Sequence, residues 1–243
     1  MKRHNLHTHT SYSDGWLSPE QLVETARREG LEVLGICDHA FTAKLPSSYQ
    51  VTRRLEQYLA HLRRLQRSLE DIELVIGVEV DVSGIYGIDP SKLPFDALNR
   101  FDYVLFEYVD TAYEPWGAVH GRRIEEIVEV RDRLAIPVGL AHNDMQRNYE
   151  GREEEIAALL ADNDIFVELC ESEPHPRRGV GRNTRDGMDY YRLFSRKLVE
   201  ELRRKGVRVV AGTDSHTGEK LVPNDVYQFV RDNGLLWHEI VDP

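Results

Sequence analysis

The chain has 243 residues, 41% of them hydrophobic, and a formal net charge of −11 at pH 7. This length and apolar content suit a single α/β barrel, and the acidic charge argues against broad, non-specific binding to a nucleic-acid backbone. The chain has no run of about 18 apolar residues and its opening MKRHNLHTHT lacks an apolar signal region, so we expect a cytoplasmic protein without a membrane span.

Short apolar runs predict seven strands, and helical patterns lie between most of them. The strands are expected at about 4–7, 31–36, 73–80, 102–107, 136–141, 165–170 and 207–212. The helices are expected at about 18–29, 51–70, 121–134, 151–161 and 188–205. This alternation predicts a mainly parallel sheet, and seven strands favour a closed or nearly closed barrel whose active site lies at the C-terminal strand ends. Cys37 and Cys170, at the ends of predicted strands, are expected to be small buried side chains rather than disulfide partners.

Histidines and acids collect at the predicted strand ends. They are His7, His9, Asp14, Asp38, His39, Glu79, His142, Asp214 and His216. His7 and His9 are two residues apart, so on a strand both imidazoles point to one face. Glu79 stands within an apolar run, where an acid is costly to bury unless it is paired or bound to a metal. A single histidine at a strand end is more often a hydrogen-bonded polar residue than a metal ligand, and a single aspartate there is usually a helix N-cap or turn residue. Five such clusters on one barrel face nevertheless predict a multinuclear metal centre.

The same residues carry a resemblance to a known family. The motifs are His7-Thr8-His9-Thr10 with Ser13-Asp14-Gly15, Cys37-Asp38-His39, Gly77-Val78-Glu79, Leu140-Ala141-His142 and Gly212-Thr213-Asp214-Ser215-His216. In order, spacing and residue type they resemble the PHP (polymerase and histidinol phosphatase) superfamily. The resemblance implies an α/β fold of the distorted (β/α)7 TIM-like barrel type, formed as a single catalytic domain over residues 1–243. It also implies hydrolysis of phosphate esters with two to three divalent ions. The mixed histidine and carboxylate ligands suit Zn, Mn and Fe about equally.

The resemblance also implies a distribution of the ligands. The first ion would be held by His7, His9, Glu79 and Asp214. The second would be held by Asp14, His39 and His216. The third would share Glu79 and use His142.

The remaining ligand of the third ion is a departure from the family pattern. Many members have a histidine after the fourth strand, whereas this chain reads FDYVLFEYVD there. It resembles in this respect the bacterial polysaccharide-associated tyrosine phosphatases of the superfamily, which place a glutamate at that strand end. Glu107 is therefore the expected substitute ligand, with Asp110 and His120 as alternatives. If Glu107 is not a ligand, it is expected to be an acid at the protein surface.

The expected chemistry needs no side-chain nucleophile. A metal-bridging hydroxide would attack the phosphate, and the ions would clamp its oxygens. His216 or Asp214 could orient the hydroxide. Asp38 is expected to support the catalytic centre as a hydrogen-bond acceptor behind the ligands, or else to cap a strand end.

The loop after the sixth strand, ESEPHPRRGVGRNTRDG, is a candidate for phosphate recognition. Its four arginines offer guanidinium groups to phosphate oxygens, and they are Arg177, Arg178, Arg182 and Arg185. His175 is a candidate general acid for the leaving group. The alternative is an exposed loop whose arginines pair with local acids.

These observations favour a stand-alone, metal-dependent phosphomonoesterase for a small phosphorylated metabolite or nucleotide. A nuclease or phosphodiesterase is the second hypothesis, although the acidic charge argues against long nucleic acids. A protein-tyrosine phosphatase of the PHP type is suggested by Glu107 alone. A metal-binding regulatory module without catalysis is the fourth hypothesis. The sequence leaves the oligomeric state and the substrate open.

Overall fold

A parallel sheet dominates the computed structural model, which describes residues 2–114, 117–173 and 189–241. The strands are β1 His4–Asn5, β2 Val33–Ile36, β3 His39–Ala40, β4 Glu73–Asp81, β5 Tyr103–Glu107, β6 Tyr113–Glu114, β7 Gly117–Ala118, β8 Val138–Leu140, β9 Ile165–Cys170, β10 Arg208–Gly212 and β11 Leu236–Trp237. The order across the sheet is β1-β2-β4-β5-β8-β9-β10-β11, with β3 paired to the C-terminal part of β4. β6 and β7 form a separate antiparallel hairpin.

The first and last of the seven predicted strands also join each other. Beyond the end of β1, the N–H of Leu6 donates to the carbonyl of Ala211, and the N–H of His9 donates to the carbonyl of Ser215, both at 2.8 Å. The short β11 pairs only with the opposite end of β10, at Arg208. Seven strands therefore enclose a barrel, and their C-terminal ends surround one mouth. The predicted distorted (β/α)7 TIM-like barrel is confirmed.

Helices cover the outside of the sheet. They are α1 Pro19–Arg28, α2 Leu55–Ser68, α3 Phe95–Leu98, α4 Ile124–Arg131, α5 Met145–Asn148, α6 Glu153–Asp162, α7 Arg196–Lys205 and α8 Asn224–Asn233, with 3-10 turns at Ser47–Tyr49, Val51–Arg54, Pro90–Lys92 and Tyr190–Leu193. The helix expected at 188–205 begins only at Arg196, because Ser195 is extended and its hydroxyl accepts the N–H of Leu198 as an N-cap. No described helix has the length and apolarity needed to cross a membrane.

The barrel interior is filled by its own side chains beneath the mouth. Tyr103 and Phe166 are fully buried there, together with Leu6 and Cys37. A Cβ atom added at Gly77 would collide with the Tyr103 ring, so the glycine makes room for it. Cys37 and Cys170 are buried and unpaired, as expected. This packed floor leaves the mouth as the place where polar side chains gather.

Candidate metal centre

The mouth of the barrel brings the predicted ligands together. His7 and His9 follow β1, His39 begins β3, Glu79 lies in β4, Glu107 ends β5, His142 follows β8, and Asp214 and His216 follow β10. All of these side chains are buried, and Asp14 is half-buried. His142 and Asp214 have left-handed backbones, with φ values of 27° and 47°. Such backbones are uncommon for residues other than glycine and are often found at functional sites.

Glu79 lies at the centre of the group. Its Oε1 is 3.1 Å from Nε2 of His142 and 3.4 Å from Nε2 of His7. Its Oε2 is 2.8 Å from Nδ1 of His39 and 3.5 Å from Nε2 of His9. Burial raises the pKa of Glu79, but the nearby imidazoles of His39 and His7 lower it by a larger amount. The pKa of Glu79 therefore lies well below its usual value. An ionised carboxylate between two sets of imidazoles suits a bridging ligand.

The first set is formed by His7, His9 and Asp214 on one side of Glu79. The two Nε2 atoms of His7 and His9 lie 3.1 Å apart. Oδ1 of Asp214 lies 3.0 Å from Nε2 of His9 and 3.6 Å from Nε2 of His7. Donor atoms of His7, His9 and Glu79 all lie within 4.8 Å of one another. Ring nitrogens and carboxylate oxygens that converge in this way can surround one ion.

The second set is formed by Asp14, His39 and His216, with His9 beside them. Oδ1 of Asp14 lies 3.3 Å from Nε2 of His216 and 3.7 Å from Nε2 of His39. Donor atoms of these four residues also lie within 4.8 Å of one another. Burial lowers the pKa of His216, but Asp214 and Asp14 raise it more, to about 9. The predicted ligands of the second ion are therefore close enough to share a cation.

Unpartnered polar atoms test whether this set fits divalent ions. Asp14 Oδ1, His39 Nδ1 and Glu79 Oε2 are buried and have no hydrogen-bond partner among the residues that the structure describes. Nδ1 of His39 and Oε2 of Glu79 are close but not aligned for a hydrogen bond. A buried polar atom without a partner is costly, and a bound cation would satisfy all three. The histidine and carboxylate donors therefore fit Zn, Mn or Fe.

The third predicted position is built differently. Glu107 is 1% exposed, which excludes a surface acid. Its Oε1 lies 2.6 Å from Nζ of Lys44 and 3.7 Å from Nδ1 of His39. Burial and the neighbouring Glu79 raise the pKa of Glu107, and Lys44 lowers it, which leaves it at about 7. His142 lies 3.1 Å from Oε1 of Glu79, whereas His39, which lies beside Glu107, approaches Oε2 of Glu79.

The two alternatives to Glu107 have other surroundings. Asp110 accepts hydrogen bonds from the N–H of Ile124 at 3.0 Å and the hydroxyl of Tyr149 at 2.9 Å, so it holds the start of α4. His120 is exposed and its ring lies near Tyr113. Glu107 is the one of the three that reaches the centre.

Asp38 lies behind the ligands rather than among them. Its carboxylate accepts hydrogen bonds from the N–H and hydroxyl of Thr10, both at 2.7 Å, and from the hydroxyls of Ser13 and Tyr58. These donors fix the loop between His9 and Asp14. His175, Arg177, Arg178, Arg182 and Arg185 lie outside the described residues.

Three further residues of the centre were not predicted. Glu168 accepts a hydrogen bond from Nδ1 of His7, and Glu173 accepts the N–H groups of His216 and Thr217. Glu168 had the same signal as Glu79, an acid inside an apolar strand. Lys44 comes from an irregular loop whose sequence has no such pattern.

Comparison with known proteins agrees with this geometry. The PHP domain family model matches residues 5–232. An uncharacterized protein of Methanocaldococcus jannaschii is 27% identical over 96% of this chain and 88% of its own length. A probable phosphatase of Acetivibrio thermocellus is 28% identical over 87% of this chain and 78% of its own length. The crystal structure of histidinol phosphate phosphatase from Lactococcus lactis, complexed with zinc, L-histidinol and phosphate, superposes with a TM-score of 0.66 at 16% identity, covering 96% and 94% of the two chains. The resemblance predicted from the motifs is confirmed, and the chain belongs to the PHP domain family.

Proposed function

We propose that the chain is a phosphomonoesterase that hydrolyses a small phosphorylated metabolite or nucleotide. The coarser statement, a metal-dependent phosphoesterase, rests on membership of the PHP family, on phosphatase-named relatives and on the donor set at the mouth. The observation that carries the proposal is the convergence of these buried donors on Glu79, with three polar atoms left unpartnered. We further propose that residues 1–243 act as one catalytic domain with His7, His9, Asp14, His39, Glu79, Asp214 and His216 as ligands of two ions, while Glu107 and His142 adjoin a third position.

Divalent ions held by these residues would supply the positive charge that activates a water for attack and neutralises the phosphoryl oxygens. The chain's own residues hold the geometry. Glu168 fixes His7 so that Nε2 faces the centre, and Glu79 separates the two groups of imidazoles. Asp214 lies between His9 and His216, where its Oδ1 could orient the water or hold its proton. The packed floor at Tyr103 closes the barrel below, so substrate enters from the mouth.

The net charge of −11 supports a small substrate over a long nucleic acid, because an acidic surface repels an extended phosphate backbone. A substrate panel separates the hypotheses. We expect hydrolysis of an aryl phosphate monoester and of nucleoside monophosphates, and weak or no hydrolysis of a bis-aryl diester, a short single-stranded oligonucleotide and a phosphotyrosine peptide. L-histidinol phosphate belongs in the panel as a compound named for a structural neighbour. Preference for the diester or the oligonucleotide would favour the nuclease hypothesis.

The test of metal dependence uses stripped protein and the aryl phosphate. Activity should disappear on removal of metals and return with Mn²⁺ or Zn²⁺. Asp214→Asn should lose both bound metal and activity, whereas Asp162→Asn, at an exposed position of α6, should lose neither. Full activity after complete metal removal would overturn the proposal. A variant of Asp214 with less metal but unchanged activity would favour a regulatory metal site.

A further inference from the structure

Lys44 brings a positive charge into the mouth of the barrel. Its Nζ lies 2.6 Å from Oε1 of Glu107, 3.0 Å from the hydroxyl of Tyr108 and 3.7 Å from Oδ2 of Asp81. The same ammonium lies 4.5 Å from the centroid of the Tyr108 ring. Among the residues that the structure describes, Lys44 is the one lysine or arginine paired with a proposed metal ligand. Its side chain is 20% exposed, so part of it is open to solvent.

The acids around Lys44 need a cation. Asp81 and Glu107 are direct neighbours across β4 and β5, and both are buried with Glu79 close by. Asp81 is partly satisfied by the hydroxyl of Thr42 and the N–H of Ser83. Glu107 has the Lys44 ammonium as its nearest partner. Buried carboxylates of like charge are costly to keep ionised unless a counter-charge is present.

The loop that carries Lys44 is held in place by its own hydrogen bonds. The hydroxyl of Thr42 donates to Asp81 at 2.7 Å, and the N–H of Lys44 donates to that hydroxyl at 3.2 Å. The N–H of Ala43 donates to the carbonyl of Tyr86, and the amide of Gln50 donates to the carbonyl of Thr42. These bonds hold the backbone of Lys44 at the mouth, so Lys44 is not a free surface side chain.

We propose that the ammonium of Lys44 takes the place of the third metal ion, so that the centre holds two divalent ions and one organic cation. This inference rests on the proposed function and makes it more specific. Donor atoms of Glu107 lie within 4.8 Å of those of Glu79 and of His39, the second-ion ligand beside it, so Glu107 would complete the third position if it were free of Lys44. With Glu107 paired to Lys44, the ammonium instead offers N–H donors to a phosphate oxygen of the substrate at that side of the mouth.

Metal stoichiometry tests this inference independently of activity. The protein is loaded with Mn²⁺, freed of excess metal by gel filtration and assayed by inductively coupled plasma mass spectrometry. We expect about two equivalents per chain for the wild type and about three for Lys44→Met, since the freed Glu107 completes the third site. The double variant Lys44→Met/Glu107→Gln should return to about two, and Lys92→Met, at an exposed position, should stay at about two.

About three equivalents in the wild type would overturn the inference, as would a folded Lys44→Met variant that stays at about two. If Lys44→Met does not fold, anomalous scattering from Mn²⁺-loaded wild-type crystals decides. Two peaks with Nζ of Lys44 beside Glu107 support the inference, and a third peak beside Glu79 and Glu107, on the side of either His39 or His142, contradicts it. The proposed function fails by a different result, namely no hydrolysis of an aryl phosphate by the fully loaded enzyme.

Discussion

The carboxylate of Glu168 lies 3.0 Å from Nδ1 of His7, on the side of the ring that faces away from the metal centre. Nδ1–H donates to this carboxylate, which leaves the lone pair of Nε2 directed at Glu79 and Asp214. The same carboxylate accepts the N–H of His142 at 2.8 Å. One buried acid therefore contacts two residues that are distant along the chain but adjacent at the mouth.

Replacing Glu168 should weaken metal binding without touching a ligand. Glu168→Gln removes the negative charge and places an amide NH2 where one of the two oxygens lies 3.0 Å from Nδ1 of His7, so metal affinity should fall about 10–100-fold. Competition with a chromogenic chelator measures this affinity. Glu129→Gln, at an exposed position of α4, is the matched control and should leave the affinity unchanged. An affinity for Glu168→Gln within about twofold of the wild type would show that its contact with His7 is not needed for binding.

Glu173 is expected to hold the loop that carries His216. Its two oxygens accept the N–H groups of His216, Thr217, Glu219 and Lys220 at 2.7–3.1 Å, together with side-chain hydroxyls. Glu173→Gln turns an amide donor toward some of these donors, so the free energy of unfolding should fall by about 1–3 kcal/mol. Urea denaturation of the metal-free protein measures it. Thr217→Val removes one hydroxyl, which donates to Glu173 and accepts the N–H of Glu219, and it should cost less because that N–H keeps its bond to Glu173. An equal loss in the two variants would contradict this account.

Asp38 is predicted to matter for the loop between His9 and Asp14, and through it for the second ion. Asp38→Asn loses charge and places an amide against donors from Thr10, Ser13 and Tyr58, which should cost about 1–3 kcal/mol of unfolding free energy. Metal content after gel filtration should fall as Asp14 is displaced. Tyr58→Phe removes a single donor and serves as the control. If Asp38→Asn loses stability but keeps its full metal content, Asp38 is only a structural cap.

The strands and the main ligands could be predicted because both leave short-range patterns. Each of the seven apolar runs became a strand, although β1 and β8 are shorter than the runs that predicted them. His7 and His9 were found from their spacing of two, which places both on one face of a strand. Glu168 also stands inside an apolar strand, as Glu79 does, so the same pattern could have predicted a buried, paired acid at residue 168.

Lys44 shows what the sequence does not encode locally. Its position depends on hydrogen bonds from Thr42 and Ala43 to Asp81 and Tyr86, which lie far from residue 44 along the chain. Nothing at residue 44 itself distinguishes a lysine in the mouth from one in solvent. The predicted start of α7 was also wrong, because the cap at Ser195 is decided by a single hydroxyl and Tyr190–Leu193 before it form a separate 3-10 turn.

Acid should weaken the fold through Glu153, well away from the metal ligands. This carboxylate accepts a hydrogen bond from Nζ of Lys197 at 2.8 Å and from the N–H of Gly151, and these bonds lower its pKa from 4.5 to about 2. A depressed carboxylate pKa stabilises the folded state fully above the unfolded value of 4.5, and the contribution is lost as the pH falls toward about 2. Glu153→Gln should therefore be less stable than the wild type at pH about 6, with the gap closing between pH about 4.5 and about 2. Thermal unfolding across this pH series measures this difference in stability. Lys197→Met removes the same ion pair, so its own difference from the wild type should close over the same pH range. A gap that stays constant down to pH about 2 would mean that the ion pair makes no pH-dependent contribution.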